Sequence, residues 1–364
     1  MKIVFYIWSL GTGGAEIHTI GLARDLILAG FDVTLVVHAQ AADSSLVIDD
    51  RLRVVSVGGG GFHDIHGWRR AVRTLNALGA DRLVCVNQSA ALVGTLSRYF
   101  RRRKMVFIFH STILERLSEK LKLTVLGRIS KGFTTIFCSA NQRAYWHAKG
   151  LDGPAATIRN GVDTDYFSPP SPQDICAARK AAGIGEGCIV LSLIAAFRPE
   201  KNHSALIRVA RRLVDAGYEI RVLLVGDGPT RGNIRALVET LGLTDHVEFA
   251  GKQTDVRPFL RLTDLAVLPS FTETFSLAAL EAMACGIPMV MSDVGGANEM
   301  VENGVNGALF TLGDDDAFFH ALSRYMDREA CRRAGVRARA LVERKFTIGR
   351  MVEDYVAFLR NRHL

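Results

Sequence analysis

The sequence predicts an α/β protein with two doubly wound domains, and three observations support this fold class. The chain has 364 residues, more than a single hydrophobic core usually organises. Apolar, strand-like runs alternate with helical patterns from the N-terminus onward, which is typical of parallel sheets with crossover helices. The alternation stops at residues 166–188 and then resumes. We therefore expect two parallel sheets.

The first half opens with a strand over KIVFYIW, followed by the glycine loop GTGGAE and a helix that Gly30 ends. Later segments continue the alternation, with a helix at RRAVRTLNALGA and strands at FDVTLVVH, RLRVVSVGG, RLVCVNQ, KMVFIFH and TTIFCSA. These elements define a predicted N-terminal Rossmann-like domain over residues 1–165.

The second half repeats the pattern after a connection rich in proline, serine and glycine, predicted over 166–188. Strands are expected at CIVLSLIAAF, IRVLLVGDG, VEFAG, DLAVLPS and PMVMSDV, with helices between them. The predicted C-terminal Rossmann-like domain covers residues 189–345. Two such domains facing each other would leave a cleft at the carboxyl ends of their strands, where open α/β sheets bind ligands.

Composition and cysteine placement indicate a cytoplasmic protein. The first residues lack the features of a signal peptide, and no run of 18 uninterrupted apolar residues predicts a spanning helix. The six cysteines are scattered without a CxxC pair, so we expect reduced thiols.

Positive charge is concentrated in the first half. The net charge is +8, and residues 98–131 alone hold ten basic and two acidic residues. Basic and apolar residues alternate at near-helical spacing over 113–131, which suits either an anionic membrane interface or an ordinary solvated helix face. For acceptor or membrane contact, the candidates are Arg116, Lys120, Lys122, Arg128 and Lys131.

Candidate binding residues follow three predicted strands of the second half. Arg198 and Lys201 stand three apart, so one helical turn could present both cations to a diphosphate. The turn VGDGP, with Gly226, permits close backbone approach to a ligand or is simply a turn. Each element, taken alone, also has an ordinary surface interpretation.

The third element, ETFSLAALE, has a glutamate at each end. Glu273 lies in the turn after a strand, and Glu281 lies two turns into the following helix. The first helix amides, at Phe275, Ser276 and Leu277, have no intrahelical acceptor and can bind an anion. Carboxylates accept hydrogen bonds from vicinal hydroxyls, although acids near a helix start also favour the helix dipole.

The sequence resembles the retaining glycosyltransferases of family 4, which have the GT-B fold, in their bacterial polysaccharide and lipid-linked-sugar forms. The resemblance rests on ETFSLAALEAMACGIPMV followed by SDVGGANEMVENGVNGALF, and on GTGGAE, RNGVD, the Arg198/Lys201 pair and VGDGP in that order. It covers nearly the whole chain, most strongly over 190–312. It also implies that the C-terminal helix, 346–364, packs back on the first domain.

The resemblance implies a role for each matching residue. Arg198 and Lys201 would bind the donor diphosphate, Glu281 the nucleotide ribose, and Glu273 the hydroxyls of the donor sugar. Gly13 and Gly14 would contact the donor phosphate or the acceptor, and the Phe275–Leu277 amides would meet the sugar and phosphate. Lys252 and Gln253 would contact the base, and Gly226 is a further donor-binding candidate. His110 ends a strand and would contact the sugar or steady the leaving group, although such a histidine can also simply bond to backbone.

Neither a metal nor another cofactor is expected. The aspartates of GDDDAFF, 313–319, are better explained as a helix cap, and HDIH at 63–66 has no accompanying ligand. The expected partners are a nucleotide-diphosphate sugar, a glycan acceptor that could carry a polyprenyl diphosphate, and an anionic membrane surface.

The predicted function is retaining transfer of a hexose or N-acetylhexosamine from a nucleotide sugar, with a UDP-sugar favoured, to a glycan hydroxyl at the cytoplasmic membrane face. Alternatives are a sugar-nucleotide epimerase or phosphorylase of the same fold and a non-catalytic sensor. A nucleic-acid-binding protein would fit the basic pI of about 9.3, but the sequence has no such motif, so no nucleic acid is expected.

Overall fold

The computed structural model describes residues 1–11, 13–39, 48–100, 104–110, 125–128 and 133–361. The chain divides into two compact units. The first contains Met1–Asn160 together with Gly349–Leu364, and the second contains Gly161–Ile348. Residues 166–188, predicted as a connection, fall in the second unit and include a helix, Pro172–Ala181.

The first unit contains one parallel sheet of seven strands in the order β3-β2-β1-β4-β5-β6-β7. The strands are β1 (Lys2–Ile7), β2 (Asp32–Ala39), β3 (Arg53–Gly59), β4 (Arg82–Val86), β5 (Lys104–Phe109), β6 (Thr134–Phe137) and β7 (Ala155–Thr157). Its first four named helices are α1 (Gly14–Leu28), α2 (Ile65–Leu78), α3 (Asn87–Phe100) and α4 (Ala140–His147).

The second unit contains a parallel sheet of six strands in the order β10-β9-β8-β11-β12-β13. The strands are β8 (Ile189–Ile194), β9 (Ile220–Val225), β10 (Val247–Gly251), β11 (Leu265–Leu268), β12 (Met289–Ser292) and β13 (Gly307–Phe310). The helices are α5 (Pro172–Ala181), α6 (His203–Asp215), α7 (Arg231–Thr240), α8 (Arg257–Leu260), α9 (Leu277–Ala284), α10 (Ala297–Met300), α11 (Asp315–Ser323) and α12 (Arg328–Lys345).

Both sheets are doubly wound, which confirms the predicted fold class. Their central strands are apolar on both faces, as strands covered by helices on each side must be. In each sheet the strand order reverses once, between β1 and β4 in the first unit and between β8 and β11 in the second. Ligands bind beside such reversal points, at the carboxyl ends of the strands.

The last helix, α13 (Ile348–Arg360), contacts the first unit. Arg82 donates from Nη2 to the Asn361 carbonyl at 3.0 Å, and the Arg360 guanidinium lies 5.6 Å from the Phe31 ring centroid. Tyr355 is buried on the inner side of this helix. The chain therefore ends in a helix anchored to the N-terminal sheet.

Within the described ranges, no helix combines the length and apolar character needed to cross a membrane. All six cysteines are free, and Cys85, Cys138, Cys285 and Cys331 are buried.

Candidate active site

Two predicted binding loops meet at the strand reversal of the second unit. Residues 197–202 follow β8 and residues 269–276 follow β11, and these two strands are neighbours. Asn202 donates from Nδ2 to the Pro269 carbonyl at 3.1 Å, and the Phe271 amide donates to the Glu200 carbonyl at 2.8 Å. Side chains from both loops are therefore presented at one edge of the sheet.

Lys201 and Glu273 form an ion pair at this edge. The Lys201 ammonium donates to Glu273 Oε1 at 2.6 Å, and the Ser270 hydroxyl donates to the same oxygen at 2.8 Å. Ser270 is held in turn, because its carbonyl accepts from the Ser292 hydroxyl at 2.5 Å. Only 8% of Glu273 is exposed, so its carboxylate has a fixed orientation. From the sequence, Lys201 was assigned to the donor diphosphate and Glu273 to the donor sugar. In the structure these two side chains contact each other.

Arg198 and Lys201 do not share a helical face, contrary to the expectation from their spacing. Pro199–Lys201 form a short 3-10 turn, and Arg198 precedes it with extended backbone. The Arg198 side chain is 59% exposed and lies 3.8 Å from Glu200. Proline at the first turn position fixes this geometry and leaves Arg198 outside the turn. Its guanidinium is therefore accessible to a ligand.

Helix α9 begins at Leu277, with Ser276 as its cap. The Ser276 hydroxyl accepts from the Ala279 amide at 3.3 Å, so the amides of Leu277 and Ala278 have no intrahelical acceptor. Phe275 is buried, and its ring meets that of Phe346 edge-on at 5.2 Å. Only the backbone of Phe275 is thus placed for the contact that the sequence predicted.

Glu281 is a partly buried carboxylate on α9. No side-chain partner for it occurs among the described residues, and burial raises its pKa to about 7. An unpaired buried carboxylate is costly unless a ligand supplies hydrogen bonds to it. This environment is consistent with the predicted ribose contact.

The other donor-side candidates have local structural partners. Gly226 has φ +146°, and a Cβ there would collide with the Ala195 carbonyl, so this glycine is required by packing between two loops. The Gln253 amide donates to the Ala250 carbonyl at 2.7 Å, and Lys252 is exposed next to it. Nothing in these contacts identifies a base-binding pocket.

Gly295 also shapes the site, although sequence reasoning gave it no role. It has φ +56°, and a Cβ there would overlap the Glu273 carbonyl. The adjacent Gly296 amide donates to the Thr274 carbonyl at 3.0 Å. The pair Gly295-Gly296 therefore fixes the turn that carries Glu273. The glycine doublet in SDVGG was the available signal, because it follows a strand at the same edge of the sheet.

Replacing Gly295 by alanine should destabilise the protein by about 2 kcal/mol or more, because the side chain is excluded and the positive φ is strained. Gly232→Ala is the matched control, since Gly232 lies in α7 with nothing within 4 Å of an added Cβ and should gain helix stability. Urea unfolding of both variants measures the difference. A Gly295→Ala variant as stable as wild type would contradict the packing role.

In the first unit, the loop GTGGAE leads into α1, with Gly13 at the cap position and Gly14 as the first helical residue. A Cβ on Gly13 would meet the Glu16 carboxylate, whereas Gly14 has open space around it.

His110 follows β5, and its amide donates to Asn87 Oδ1 at 3.2 Å. Asn87 has φ +64° directly after β4, so His110 lies beside the strand reversal of this sheet.

Most of the predicted membrane residues lie outside the described ranges, namely Arg116, Lys120, Lys122 and Lys131. Arg128 is described, and it is exposed in a helical turn at 125–128.

The two rejected metal motifs have structural roles. Asp314 caps α11 by accepting from the Ala317 amide at 2.8 Å, and Asp64 caps α2 by accepting from Gly67 at 2.8 Å. No cluster suited to a metal ion occurs within the described part of the chain.

A cavity of about 1020 Å³ lies at the opposite edge of the second sheet, near the amino ends of β8, β11 and β12. Its most buried charge, Arg179, donates to Asp264 at 2.8 Å and to the carbonyls of Gly185 and Cys188. The Arg179 guanidinium and the Asp264 carboxylate therefore satisfy each other in the wall of this cavity.

Two family models match the chain, one in each half. The model described as Glycosyl transferases group 1 matches residues 174–341, and the model described as Glycosyltransferase Family 4 matches residues 12–166. The N-acetyl-α-D-glucosaminyl L-malate synthase of Bacillus anthracis is 35% identical over 277 residues, covering 75% of this chain and 70% of that protein. The chain belongs to glycosyltransferase family 4. This confirms the family that the sequence motifs resemble.

A second relative is the putative glycosyltransferase EpsD of Bacillus subtilis strain 168. It is 31% identical over 227 residues, which cover 61% of this chain and 59% of EpsD. The chain spans between about four tenths and seven tenths of the length of the curated relatives it matches.

The solved structure of the Anabaena protein HepE in complex with UDP superposes with a TM-score of 0.86 at 24% identity, covering 99% of both chains. This likeness confirms the GT-B fold of this family 4 chain.

Proposed function

We propose that this chain transfers a hexose or N-acetylhexosamine from a UDP-sugar to an acceptor hydroxyl, with retention at the anomeric carbon. The observation that carries the proposal is the edge at β8 and β11, where Lys201, Glu273 and the start of α9 converge. Arg198 is exposed beside them. Cations and unpaired amides suit a diphosphate, and fixed carboxylates suit sugar hydroxyls.

UDP is favoured as the nucleotide because HepE has been crystallised with UDP and with UDP-glucose. In this proposal the Glu281 carboxylate accepts from the ribose hydroxyls, and Glu273 accepts from the sugar. Lys201 has two further N–H donors beyond the one that contacts Glu273, so it can bind the carboxylate and a phosphate oxygen together. Gly13, Gly14, Lys252 and Gln253 remain predicted contacts, as does His110 on the sugar side.

The transfer breaks the bond between the anomeric carbon and the diphosphate oxygen, and it forms a bond to the acceptor oxygen on the same face. The acceptor proton passes to the departing diphosphate. Arg198, Lys201 and the amides at the start of α9 stabilise the negative charge that develops on that diphosphate. No metal is needed for this charge stabilisation in the proposed mechanism.

The proposed acceptor is a growing glycan on a lipid-linked saccharide, reached by the protein as a peripheral enzyme at the cytoplasmic face of the membrane. The excess of basic residues over 98–131 supports an anionic partner of this kind. A smaller acceptor is a second candidate, because the L-malate synthase relative is named for a small dicarboxylate. Both acceptors are anionic, and they differ in whether a lipid surface is required.

A panel of sugar nucleotides, assayed with L-malate and with a polyprenyl-diphosphate sugar, tests the proposal. We expect UDP release together with a glycosylated product detected by mass spectrometry, and activity that persists in EDTA. Proton NMR of the fresh product should show the anomeric configuration of the donor. Epimerised donor without UDP release would indicate the alternative enzyme class instead. Loss of turnover in EDTA, restored by a divalent cation, would contradict metal independence.

Binding to anionic vesicles tests the membrane part separately. The variant Lys120→Glu/Lys122→Glu/Arg128→Glu/Lys131→Glu should lose most of its co-sedimentation with phosphatidylglycerol vesicles, because each basic residue near such a surface contributes about 1 kcal/mol. The matched control changes four exposed arginines of the second unit to glutamate and should still bind the vesicles. These arginines are Arg332, Arg333, Arg337 and Arg344. Equal sedimentation of wild type and the first variant would exclude this basic stretch.

A further inference from the structure

Four polar side chains from separate parts of the sequence meet inside the first unit, around the end of β5. They are His18 on α1, His110 after β5, Cys138 after β6, and Tyr355 on α13. The His18 and His110 ring centroids are 4.8 Å apart at an interplanar angle of 65°, and those of His18 and Tyr355 are 6.2 Å apart. Cys138 Sγ lies 3.5 Å from His110 Nδ1.

Two members of this cluster have polar atoms without hydrogen-bond partners among the described residues. These atoms are both ring nitrogens of His18 and the Tyr355 hydroxyl. His18 is 6% exposed and Tyr355 is 2% exposed, so solvent does not satisfy them from outside. Buried polar groups nearly always find a partner or a bridging water, and phenylalanine would fill the Tyr355 site without this cost. The hydroxyl and the imidazole therefore call for a role other than packing.

We propose that His18 and Tyr355 are positioning residues for His110, enclosing its ring between α1 and α13 and fixing its orientation. A water bridging the Tyr355 hydroxyl and a His18 nitrogen would satisfy both groups and complete the enclosure. The C-terminal helix is thereby linked through His18 to the residue at the carboxyl end of β5. This positioning role deepens the proposed function, in which His110 contacts the donor sugar. Only the effect of the positioning on catalysis rests on that proposed function.

Among the described residues, the side chains of this cluster are uncharged at neutral pH. Burial lowers the pKa of His18 to about 4, and burial with the neighbouring His18 lowers that of His110 well below its ordinary value. Burial also raises the pKa of Cys138 to about 12 and that of Tyr355 well above its usual range. A neutral imidazole donates from one nitrogen and accepts at the other, and its neighbours decide which. A change at Tyr355 should therefore alter the His110 tautomer or its ring environment.

Nitrogen NMR of histidine-labelled protein tests this without any substrate. Tyr355→Phe removes the hydroxyl and keeps the ring, so the fold is preserved. We expect the ring nitrogen signals of His18 and His110, assigned with His18→Gln and His110→Gln variants, to shift in Tyr355→Phe. Tyr6→Phe is the matched control in the same unit, because its hydroxyl contacts His38 Nδ1 at 2.7 Å. That control should shift His38 and leave His18 and His110 unchanged.

Turnover with UDP-glucose supplies the catalytic readout. Tyr355→Phe should lower kcat by about tenfold and leave the donor KM unchanged, since a displaced His110 affects the reaction more than binding. Unchanged His18 and His110 signals, with a raised melting temperature, would overturn the proposal, because the hydroxyl would then be a buried group with no role. Shifted signals in a protein that turns over no sugar nucleotide would support the positioning and contradict the proposed function.

Discussion

Glu273→Gln should lower kcat with a UDP-sugar donor by about a hundredfold or more, because it removes the charge that holds both Lys201 and the proposed sugar contact. UDP affinity should fall much less, since Glu273 is assigned to the sugar and not to the nucleotide. The free energy of unfolding should drop by about 1–3 kcal/mol, because glutamine leaves the Lys201 charge without its partner. Steady-state kinetics, calorimetric UDP titration and urea unfolding measure the three quantities.

Glu343→Gln is the control for this prediction. Glu343 accepts from Arg339 at 2.7 Å in the same unit, but its side chain is 53% exposed. It should therefore keep wild-type turnover and nearly wild-type stability. The double variant Lys201→Met/Glu273→Gln should be less impaired than the two single losses combined, because each single change removes the same pair. Wild-type turnover in Glu273→Gln would refute its assignment to the sugar.

Glu281→Gln should weaken UDP binding by about tenfold or more, because a carboxylate accepts hydroxyl hydrogen bonds more strongly than an amide does. Binding in wild type should also release protons near neutral pH. The pKa of Glu281 is about 7 in the folded protein, and hydroxyl donors from a ribose would favour the ionised form and lower that pKa. Calorimetry at pH 6.5 in buffers of different ionisation enthalpy detects this release, which the variant should lack.

The same carboxyl group predicts a pH dependence of stability. Its pKa is raised from 4.5 to about 7 on folding, so between these values the folded state binds more protons than the unfolded state. The free energy of unfolding therefore falls as pH rises through this window, by on the order of 3 kcal/mol from this group. Glu281→Gln should remove that fall and be more stable than wild type at pH 8, but not at pH 4.

Glu239→Gln is the matched control for Glu281→Gln, because Glu239 lies exposed on α7 and its side chain makes no hydrogen bond or ion pair with the described residues. Its UDP affinity and its pH–stability curve should follow those of wild type. Identical UDP affinity in Glu281→Gln and wild type would contradict the ribose assignment. A stability curve of Glu281→Gln parallel to that of wild type between pH 4 and 8 would contradict the buried environment of the carboxyl group.

Sequence reasoning predicted the two sheets because their central strands are long apolar runs separated by glycine-rich turns. It missed β7 and β13, which have three and four residues. It also missed α3, α4 and the four-residue helices α8 and α10. A further miss was α12, whose buried face consists of small residues such as Ala334, Gly335 and Ala338 among many arginines. A stripe of alanine and glycine produces a weak periodic signal. Strong hydrophobic periodicity is therefore what made the other elements predictable.

At the candidate site, sequence reasoning placed the loops after β8 and β11 at the same edge of the sheet, since both follow parallel strands. It could not predict the Lys201–Glu273 contact, because that contact joins residues 72 positions apart through the directions of two side chains. Gly295 was missed because its collision with the Glu273 carbonyl depends on how two loops pack. His18 and Tyr355 were missed for a similar reason, as their meeting requires α13 to lie on the first sheet.

A crystal structure with UDP would show whether a nucleotide sugar binds at the carboxyl edge of the second sheet. We expect the ribose hydroxyls to lie within hydrogen-bond distance of Glu281, and the diphosphate to contact Arg198, Lys201 and the start of α9. UDP bound instead in the cavity at the opposite edge, against Arg179 and Arg328, would contradict this expectation.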